Sequence, residues 1–362
     1  MGNLGLTMSM KNTIRQLALS QGAQLVAMAS VEAYAEYLAE AEKRLQDTGA
    51  QLEDFMISPA ANMPDSRNKT FFAHLADARK TLPEAKTIVI LGVYAYDEAA
   101  IYRNTRRELR GKTARIYSYY PVARQIAESV VGFIEERGHK AVQGQHIPLK
   151  FVADRIGMGA YGKNGVLQTE KYGSYVALRN VLTDVELAPD HFERISTRCD
   201  KCGRCMKACP MGALYAPYKV NPKLCINPIT RRQAYIEPHI RSRIQNWIHG
   251  CDICQEVCPA NKNLNVRRID PRARFDPCHH ESHRHLDGLE RTPDLLALIS
   301  AKQPEIIRRN TAIALGNIGK GRHEALVALK EQLDGISSGL KEYFIWAIER
   351  IEQEGLLRPE SP

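Results

Sequence analysis

Apolar residues recur at helical spacing within the first fifty positions of the chain. Residues 9–22 and 30–48 show this pattern, and Val31, Leu38 and Leu45 fall on one face of the second segment. The spacing predicts two helices, each with one apolar side turned towards a core.

Longer apolar stretches follow in the middle of the chain. Residues 87–94 (TIVILGVY) form a continuous apolar run, which predicts a buried strand, and residues 176–182 predict another strand. Residues 120–137 again repeat apolar side chains at helical spacing, and Gly138 supplies a C-terminal stop. Helices that alternate with strands over residues 1–190 predict an α/β domain.

The pattern becomes wholly helical from about residue 292. Residues 307–318 (IRRNTAIALGNI) and 340–351 (LKEYFIWAIERI) align at an offset of 33 residues, with apolar positions in register. A repeat of this length made of paired helices resembles the HEAT class of solenoid. Because two units are few for an independent solenoid, we expect this segment to pack on the part of the chain before it.

Eight of the nine cysteines lie between residues 199 and 258. They occur in the runs CDKCGRCMKACP (199–210) and CDICQEVCP (251–259), with Cys225 alone between the runs. This spacing is typical of a lobe that holds two [4Fe–4S] clusters, in which the cysteine before each proline ligates the other cluster. The rule predicts a first set and a second set of ligands: Cys199, Cys202, Cys205 and Cys258, and Cys209, Cys225, Cys251 and Cys254.

Zinc is the alternative metal that C-x2-C pairs bind. We favour clusters because zinc sites rarely need a third cysteine at the same short spacing and a trailing Cys-Pro, both twice over. The ninth cysteine begins the segment Cys278–His285 (CHHESHRH), which is either a metal site or a polar connector. No second half of a metal site is apparent in the sequence, which favours the connector.

Composition and charge indicate the cellular compartment and the kinds of partner that the protein could have. No apolar run approaches the ~20 residues needed to span a bilayer, and the N-terminus has no apolar export signal. Cysteines committed to clusters indicate a reducing cytoplasm, so we expect a cytoplasmic, monomeric protein with no membrane association. The net charge is +9, with basic residues concentrated at 103–115 and 231–243. Such patches suit RNA, but solvated surfaces explain them equally well.

The predicted organisation has four parts. It comprises an α/β domain over residues 1–190, a ferredoxin-like double [4Fe–4S] lobe over 191–265, a linker over 266–291 and HEAT-like helical repeats over 292–362. The length of 362 residues is ample for this many units.

Several motifs together resemble the epoxyqueuosine reductase family, which is related to the reductive dehalogenases. They are ADRIGMGAYGKNGVL (153–167), GSYVALRNVLTD (173–184), the eight cluster cysteines and RRNTAIALGN (308–317). Many ferredoxins share the cysteine pattern, but its combination with the glycine-rich segment and the helical tail is much more specific. The resemblance covers about residue 82 to the C-terminus. It implies a nitroreductase-like, cobalamin-binding α/β domain beside the two clusters.

In this family cobalamin lies between the α/β domain and the cluster lobe, where the nearer cluster reduces it. The resemblance implies that the glycine-rich loop holds the cofactor, since glycines let backbone N–H groups approach a bulky ligand. A glycine-rich turn without any ligand is the alternative. The residues expected at cobalamin are Gly157, Gly159, Gly162, Lys163, Asn164, Gly173, Ser174, Asn227 and Asp252.

The chain departs from the family at the position of the proton donor. The family has an aspartate three residues before a proline, whereas this chain has Gln145, followed by His146. A glutamine does not act as a general acid, but a histidine does. Gln145 and His146 are therefore the candidate catalytic residues, and His146 is the candidate donor. A glutamate expected after the proline is also missing, with Lys150 in that stretch.

Three functions remain open at this point. The first is reduction of epoxyqueuosine in the anticodon region of tRNA, with flavodoxin or ferredoxin as the low-potential electron donor. The second, which Gln145 and Lys150 favour, is a corrinoid iron–sulfur reductase acting on a small molecule or on another corrinoid protein. The third is a non-catalytic electron-transfer protein, against which the glycine-rich loop argues.

Overall fold

The computed structural model describes residues 2–32, 35–48, 77–95, 104–144, 147–197, 199–262, 264 and 291–355. The α-helices are α1 (Gly2–Ser20), α2 (Ala35–Thr48), α3 (Tyr120–Glu135), α4 (Leu149–Arg155), α5 (Arg204–Ala208), α6 (Ile226–Ile229), α7 (Pro238–Arg241), α8 (Ile253–Glu256), α9 (Leu295–Ser300), α10 (Glu305–Ile318), α11 (His323–Glu331) and α12 (Ser338–Gly355). The strands are β1 (Leu25–Ser30), β2 (Thr87–Tyr94), β3 (Lys112–Thr113), β4 (Ala141–Gln143), β5 (Ala160–Tyr161), β6 (Leu167–Gln168), β7 (Val176–Thr183) and β8 (Trp247–His249).

The N-terminal domain is built on a four-stranded antiparallel sheet with the order β1-β2-β7-β4. One face of β2, with Val89 and Leu91, packs against α1 and α3. The opposite face, with Ile88 and Ile90, packs against α4. Because both faces of β2 are covered, every residue of this strand is buried, which explains its continuous apolar run.

Most of the predicted elements are confirmed. The two predicted strands are β2 and β7, and the helix predicted over 120–137 is α3, after which Gly138 adopts a φ of +79°. The helix predicted over 9–22 is α1. The helix predicted over 30–48 is wrong at its start, because β1 ends at Ser30 and α2 begins only at Ala35.

Asp190 fastens α1 to β1. Its carboxylate accepts hydrogen bonds from the Arg15 guanidinium at 2.8 and 2.9 Å and from the Met28 backbone N–H at 2.8 Å, and it pairs with Lys11 at 2.8 Å. Burial raises the pKa of Asp190, but these hydrogen bonds and charges outweigh burial and hold the pKa below its ordinary value. The ionised carboxylate therefore stabilises the fold.

The C-terminal helices and the cysteine-rich lobe share one hydrophobic core. Trp247 and Ile248 of β8 lie in the same buried cluster as Ile307 of α10 and Phe344 of α12. Helices α10 and α12 contain the two aligned repeats and pack against each other. The helical segment therefore packs on the lobe, as expected of a tail too short to stand alone.

Arg309 and Asn310 of α10 account for the polar part of the RRNTAIALGN motif. The buried Arg309 guanidinium donates hydrogen bonds to the backbone carbonyls of Ile229 at 3.1 Å, Arg232 at 2.9 Å and Ala234 at 2.7 Å. Asn310 donates to two further carbonyls of the lobe, at 2.7 and 2.8 Å. Helix α10 therefore supplies hydrogen-bond donors to five backbone carbonyls of the lobe.

In the part of the chain that the structure describes, no helix is both long and apolar enough to cross a bilayer.

Candidate redox site

The eight cysteines of the two runs are all free thiols held on short elements of the lobe. Cys205 lies on α5 and Cys254 on α8, and these two helices pack against each other. Cys225 and Cys258 each cap a short helix with extended backbone, which turns the chain sharply after the thiol. Tight turns and single helical turns thus bring cysteines from distant sequence positions into one lobe.

The structure brings the first set together. Burial raises the pKa of Cys258, and the adjacent thiols of Cys199, Cys205 and Cys202 raise it further. Burial likewise raises the pKa of Cys205, with Cys199 and Cys202 adding to the shift. Four cysteines from both runs are therefore mutual neighbours.

The second set forms a separate neighbourhood. Burial raises the pKa of Cys225 to about 11, and the nearby Cys209 thiol adds to this shift. Burial also raises the pKa of Cys251 far above its ordinary value, with Cys254 and Cys225 adding to it. Buried, crowded thiols hold their protons, whereas coordinated iron stabilises the thiolates.

The surroundings of both sets suit iron–sulfur clusters. A small pocket is lined by all four cysteines of the first set together with Asn164 and Gln168. The Gln168 Nε2 lies 3.6 Å from the sulfur of Cys199 and 3.8 Å from that of Cys258. The Asn164 side chain faces Cys254, and its Nδ2 is buried without a hydrogen bond to any described residue. Such N–H groups around the sulfurs are a usual feature of iron–sulfur sites.

Among the described residues, no three His, Cys, Asp or Glu side chains converge closely enough to hold a single metal ion. In a four-iron cluster each cysteine ligates a different iron atom, so the sulfurs surround a larger group.

The glycine-rich segment is a hairpin made of β5 and β6. Because glycine has no side chain, other parts of the protein approach the backbone closely at these positions. A Cβ on Gly157 would lie 2.2 Å from the Phe192 carbonyl oxygen, and one on Gly162 would lie 2.3 Å from Gln168 Nε2. A Cβ on Gly159 would lie 2.7 Å from the Gln168 carbonyl oxygen. The glycines thus permit a tight hairpin that turns its polar side chains towards the lobe.

The remaining residues expected at cobalamin join the two parts of the molecule. Lys163 donates hydrogen bonds to the carbonyls of Asp200 at 2.9 Å and Cys202 at 3.2 Å. Ser174 donates through its hydroxyl to Gln255 at 2.9 Å, and its backbone N–H donates to Asn261 at 2.7 Å.

Gly173 and Asp252 serve the same junction. Gly173 has a φ of +55°, and a Cβ there would lie 2.2 Å from the Asn261 Oδ1. Asp252 is fully buried and accepts hydrogen bonds from the Arg115 backbone N–H at 2.8 Å and its guanidinium at 3.0 Å. The polar groups of these residues are therefore engaged within the chain.

A group of aromatic and polar side chains lies where the sheet domain meets the lobe. We call it the boundary cluster, and it consists of Tyr117, Tyr120, Arg179, Asn227, Arg231 and His249. The Tyr117 hydroxyl donates a hydrogen bond of 2.5 Å to the Asn227 Oδ1, and its ring lies 4.4 Å from the His249 ring. The Arg231 guanidinium lies 4.5 Å from the centre of the Tyr117 ring, and that of Arg179 lies 4.7 Å from the Tyr120 ring.

Burial sets the charge of the boundary cluster. It lowers the pKa of His249 to about 3, with Arg231 adding to the shift, so the imidazole is neutral at physiological pH. Burial also raises the pKa of Tyr117, which therefore stays a hydrogen-bond donor. Because Asn227 follows Cys225 and His249 precedes Cys251, this cluster adjoins the second set.

Buried polar atoms in or next to the boundary cluster make no hydrogen bond to any described residue. They include the Ser118 hydroxyl, the His249 Nδ1 and the Arg231 Nε. Buried polar groups normally have partners, so this region can accommodate a polar ligand. Sequence reasoning identified only Asn227 here. Arg179, a charged residue within an otherwise largely apolar strand, was an available signal for the remainder.

Gln145 and His146 lie outside the described residues, as does the segment Cys278–His285. Gly144, which precedes them, donates its N–H to the Asn180 carbonyl at 3.2 Å, and a Cβ on Gly144 would lie 1.9 Å from the Asn180 Nδ2. Lys150 donates a hydrogen bond of 2.9 Å to the Gly165 carbonyl. Lys150 therefore fastens α4 to the glycine-rich hairpin.

Comparison with known proteins identifies relatives of the whole arrangement. Residues 198–261 match the family described as "4Fe-4S double cluster binding domain". The chain is 33% identical to an epoxyqueuosine reductase of Bacillus subtilis over 54% of its own length and 52% of the relative's. It is 30% identical to that of a Synechocystis species over 53% of its length and 70% of the relative's, and 29% identical to that of Lactococcus garvieae over 78% and 83%. The matched region thus spans about half of the Bacillus subtilis relative.

Solved structures show the same fold. The epoxyqueuosine reductase of Bacillus subtilis, with its catalytic aspartate loop swung out of the active site, superposes with a TM-score of 0.74 at 23% identity, over 95% of this chain and 91% of that one. A structure of epoxyqueuosine reductase with an epoxyqueuosine-modified tRNA-Tyr stem loop superposes with a TM-score of 0.65 at 22% identity, over 96% and 100%.

Proposed function

The chain belongs to the epoxyqueuosine reductase family, and from this premise we propose that it is an iron–sulfur oxidoreductase that reduces epoxyqueuosine to queuosine in tRNA. The observation that carries the proposal is the pairing of two four-cysteine neighbourhoods with a polar cluster at the boundary of the sheet domain. Removing the epoxide oxygen as water consumes two electrons and two protons. Two clusters deliver such electrons one at a time.

We propose the first and second sets as the ligands of the two clusters. The second set adjoins the boundary cluster and is therefore the inner one, nearer to the substrate. The first set lies beside the glycine-rich hairpin and is the outer one. Clusters held by these residues would carry electrons from the first set to the second and on to the reacting group.

We propose cobalamin as the second cofactor, at the boundary cluster. The Ser118, His249 and Arg231 atoms that make no hydrogen bond to any described residue support this position, because a corrin ring carries many amide groups that need partners. Tyr117, Asn227 and Arg231 would hold it, whereas Lys163, Ser174 and Asp252, also expected at cobalamin, have partners within the chain. Bound cobalamin supplies a cobalt centre that accepts single electrons from a cluster and delivers them to the substrate.

A binding measurement tests this assignment without turnover. Added cobalamin should bind base-off, and electron paramagnetic resonance of its Co(II) form should show no nitrogen superhyperfine splitting. The Arg231→Ala variant should bind it more weakly while both clusters remain. Unchanged affinity in that variant would move the cofactor away from the boundary cluster.

We propose His146 as the proton donor in place of the family's aspartate. Its reference pKa of about 6.5 allows it to supply a proton near neutral pH. His146→Ala should abolish turnover with clusters and cobalamin retained, and Gln145→Asp should maintain or raise it. Full activity of His146→Ala would assign the proton to water or to another group.

We propose that tRNA binds through exposed arginines, in the cytoplasm. Arg106, Arg107 and Arg243 are exposed, whereas Arg115 and Arg241 are buried in ion pairs and do not belong to the RNA surface. Affinity for a stem loop should fall steeply with salt and should weaken in an Arg106→Gln, Arg107→Gln variant. Affinity that is indifferent to both changes would contradict RNA binding at this surface.

The architecture supports two finer assignments, which we also propose. The sheet domain is nitroreductase-like, and α10 to α12 are HEAT-like repeats, since α10 and α12 align at an offset of 33 residues and pack together.

Anaerobic reconstitution with iron, sulfide and cobalamin, followed by turnover of an epoxyqueuosine-containing stem loop, tests the function as a whole. Formation of queuosine supports it. The second candidate, a reductase for a small molecule or another corrinoid protein, is favoured by Gln145. It gains support if both clusters and cobalamin are reduced but the stem loop is left unchanged.

A further inference from the structure

Positively charged side chains surround the point where the first set reaches the protein surface. An open depression there is lined by Cys202 and Pro259 together with three basic residues, Lys201, Arg204 and Lys207. Cys202, Pro259 and Arg204 also line the pocket of the first set. The depression and the pocket are therefore adjacent, and these three residues form the wall that separates them.

We call Lys201, Arg204 and Lys207 the cationic rim. All three are exposed, and none forms an ion pair with an acidic side chain in the described ranges. Lys163 adds a fourth positive charge behind them, bonded to the carbonyls of Asp200 and Cys202. Asp200 is the adjacent acidic residue, so positive charge predominates.

Several other surface cations are paired with a nearby carboxylate. These pairs are Arg79–Asp77, Lys140–Glu84, Arg155–Glu36, Lys219–Asp47, Arg322–Glu324 and Lys330–Glu352. The three rim cations have no such pair with any described residue, so together they present a local positive field beside the first set. Such a field attracts an oppositely charged partner and accelerates its association.

We propose that the cationic rim is the docking surface for a small acidic one-electron carrier protein of the flavodoxin class, which reduces the first cluster through the wall formed by Cys202. The inference rests on the proposed function in requiring a cluster at the first set. In each encounter one electron passes from the flavin hydroquinone, which becomes the semiquinone, to the oxidised cluster. Two encounters supply the two electrons that one epoxide consumes.

An RNA is the other polyanion that a cationic surface attracts. The observations favour the carrier, because the rim shares its wall with the first set, whereas the substrate base must reach the boundary cluster beside the second set. Electron acceptance and substrate binding are thus assigned to different surfaces.

Charge reversal of the rim in the holoprotein tests the proposal. The Lys201→Glu, Arg204→Glu, Lys207→Glu variant is mixed anaerobically with an acidic flavodoxin in its hydroquinone form, and cluster reduction is followed by absorbance without tRNA. We expect the rate constant at low salt to fall by at least about tenfold and to rise with salt instead of falling, because a negative rim repels the acidic carrier. The control variant reverses three other exposed lysines: Lys43, Lys302 and Lys341. It should keep the wild-type rate.

Two further measurements separate the outcomes. Reduced methyl viologen, a radical cation that needs no docking at the rim, should reduce the clusters of all three proteins to the same final extent, which shows that the clusters are intact. A rim variant that accepts electrons from flavodoxin at the wild-type rate overturns the docking proposal. Loss of stem-loop affinity with an unchanged flavodoxin rate assigns the rim to RNA and also overturns it. The flavodoxin assay does not involve tRNA turnover. If the proposed function is wrong, the wild-type protein will therefore still accept electrons from flavodoxin but will not convert the stem loop.

Discussion

Replacing Arg309 by methionine should loosen the lobe from the helical tail. The guanidinium donates hydrogen bonds of 3.1, 2.9 and 2.7 Å to three backbone carbonyls, and the residue is only 4% exposed. Hydrogen bonds from a charged donor contribute about 1.5–3 kcal/mol each, so three contribute about 5–9 kcal/mol before the penalty of burying the charge.

That penalty follows from the pKa. Burial lowers the pKa of Arg309 from 12.5 to about 10, and a shift of this size corresponds to about 3 kcal/mol. The difference leaves a net loss of about 2–6 kcal/mol in the free energy of unfolding for Arg309→Met. Unfolding entropies of about 2 cal/mol/K per residue convert this loss into a fall of about 3–8 °C in the thermal midpoint.

The assay is anaerobic thermal unfolding of the holoprotein, followed by tryptophan fluorescence and by cluster absorbance. Trp247 reports directly, because it is fully buried in the shared core. Arg308→Met is the matched control on the same helix: Arg308 is half-buried, with a hydrogen bond of 3.1 Å to Gln332, so its loss should be under about 1 kcal/mol. Equal midpoints for the two variants, with full iron content in both, would refute the role assigned to Arg309.

Three shorter predictions concern the clusters and the sheet domain. Cys225→Ala should reduce iron from about eight to about four atoms per chain by elemental analysis, since it removes one ligand of the second set only; unchanged iron would contradict the assignment. Gln168→Leu should make the first cluster's potential more negative by about 40 mV in a redox titration, the equivalent of one hydrogen bond of about 1 kcal/mol, and an unshifted potential would exclude its contact with the sulfurs. Asp190→Asn should lower stability at pH 7. Because folding lowers the pKa of this carboxyl, its contribution is present above the unfolded value of about 4 and disappears as the pH falls through the folded one. The difference between wild type and variant should therefore shrink in acid, and a constant difference would argue against ionisation as the cause.

Elements dominated by local pattern could be predicted from the sequence. Strand β2 was visible because burial on both faces makes every position apolar. The first and second sets were visible because a cubane imposes its own spacing on the chain. Strand β1 was missed, since its residues Leu25–Ser30 (LVAMAS) have little of the β-branched character that marks a strand and depend on pairing with β2.

Features that depend on distant contacts could not be predicted. The glycines of the hairpin suggested space for a ligand. In the structure, the Phe192 carbonyl and the Gln168 side chain occupy the space that side chains on Gly157 and Gly162 would need. The boundary cluster joins residues from Tyr117 to His249, and no spacing rule connects them. Asp252 was expected at a cofactor, yet it holds Arg115, a partner 137 positions away in the sequence.

The interleaving of the two sets has a consequence for biosynthesis. The first set of ligands is complete only when Cys258 has emerged from the ribosome, and the second only when Cys254 has. The lobe carbonyls that lie between Cys225 and Cys251 gain their hydrogen-bond donors later still, from Arg309 and Asn310. A nascent chain in which only the first cysteine run has emerged therefore has two incomplete ligand sets. An assembly factor that delivers preformed clusters must therefore act on a chain in which both cysteine runs, from Cys199 to Cys258, are accessible together.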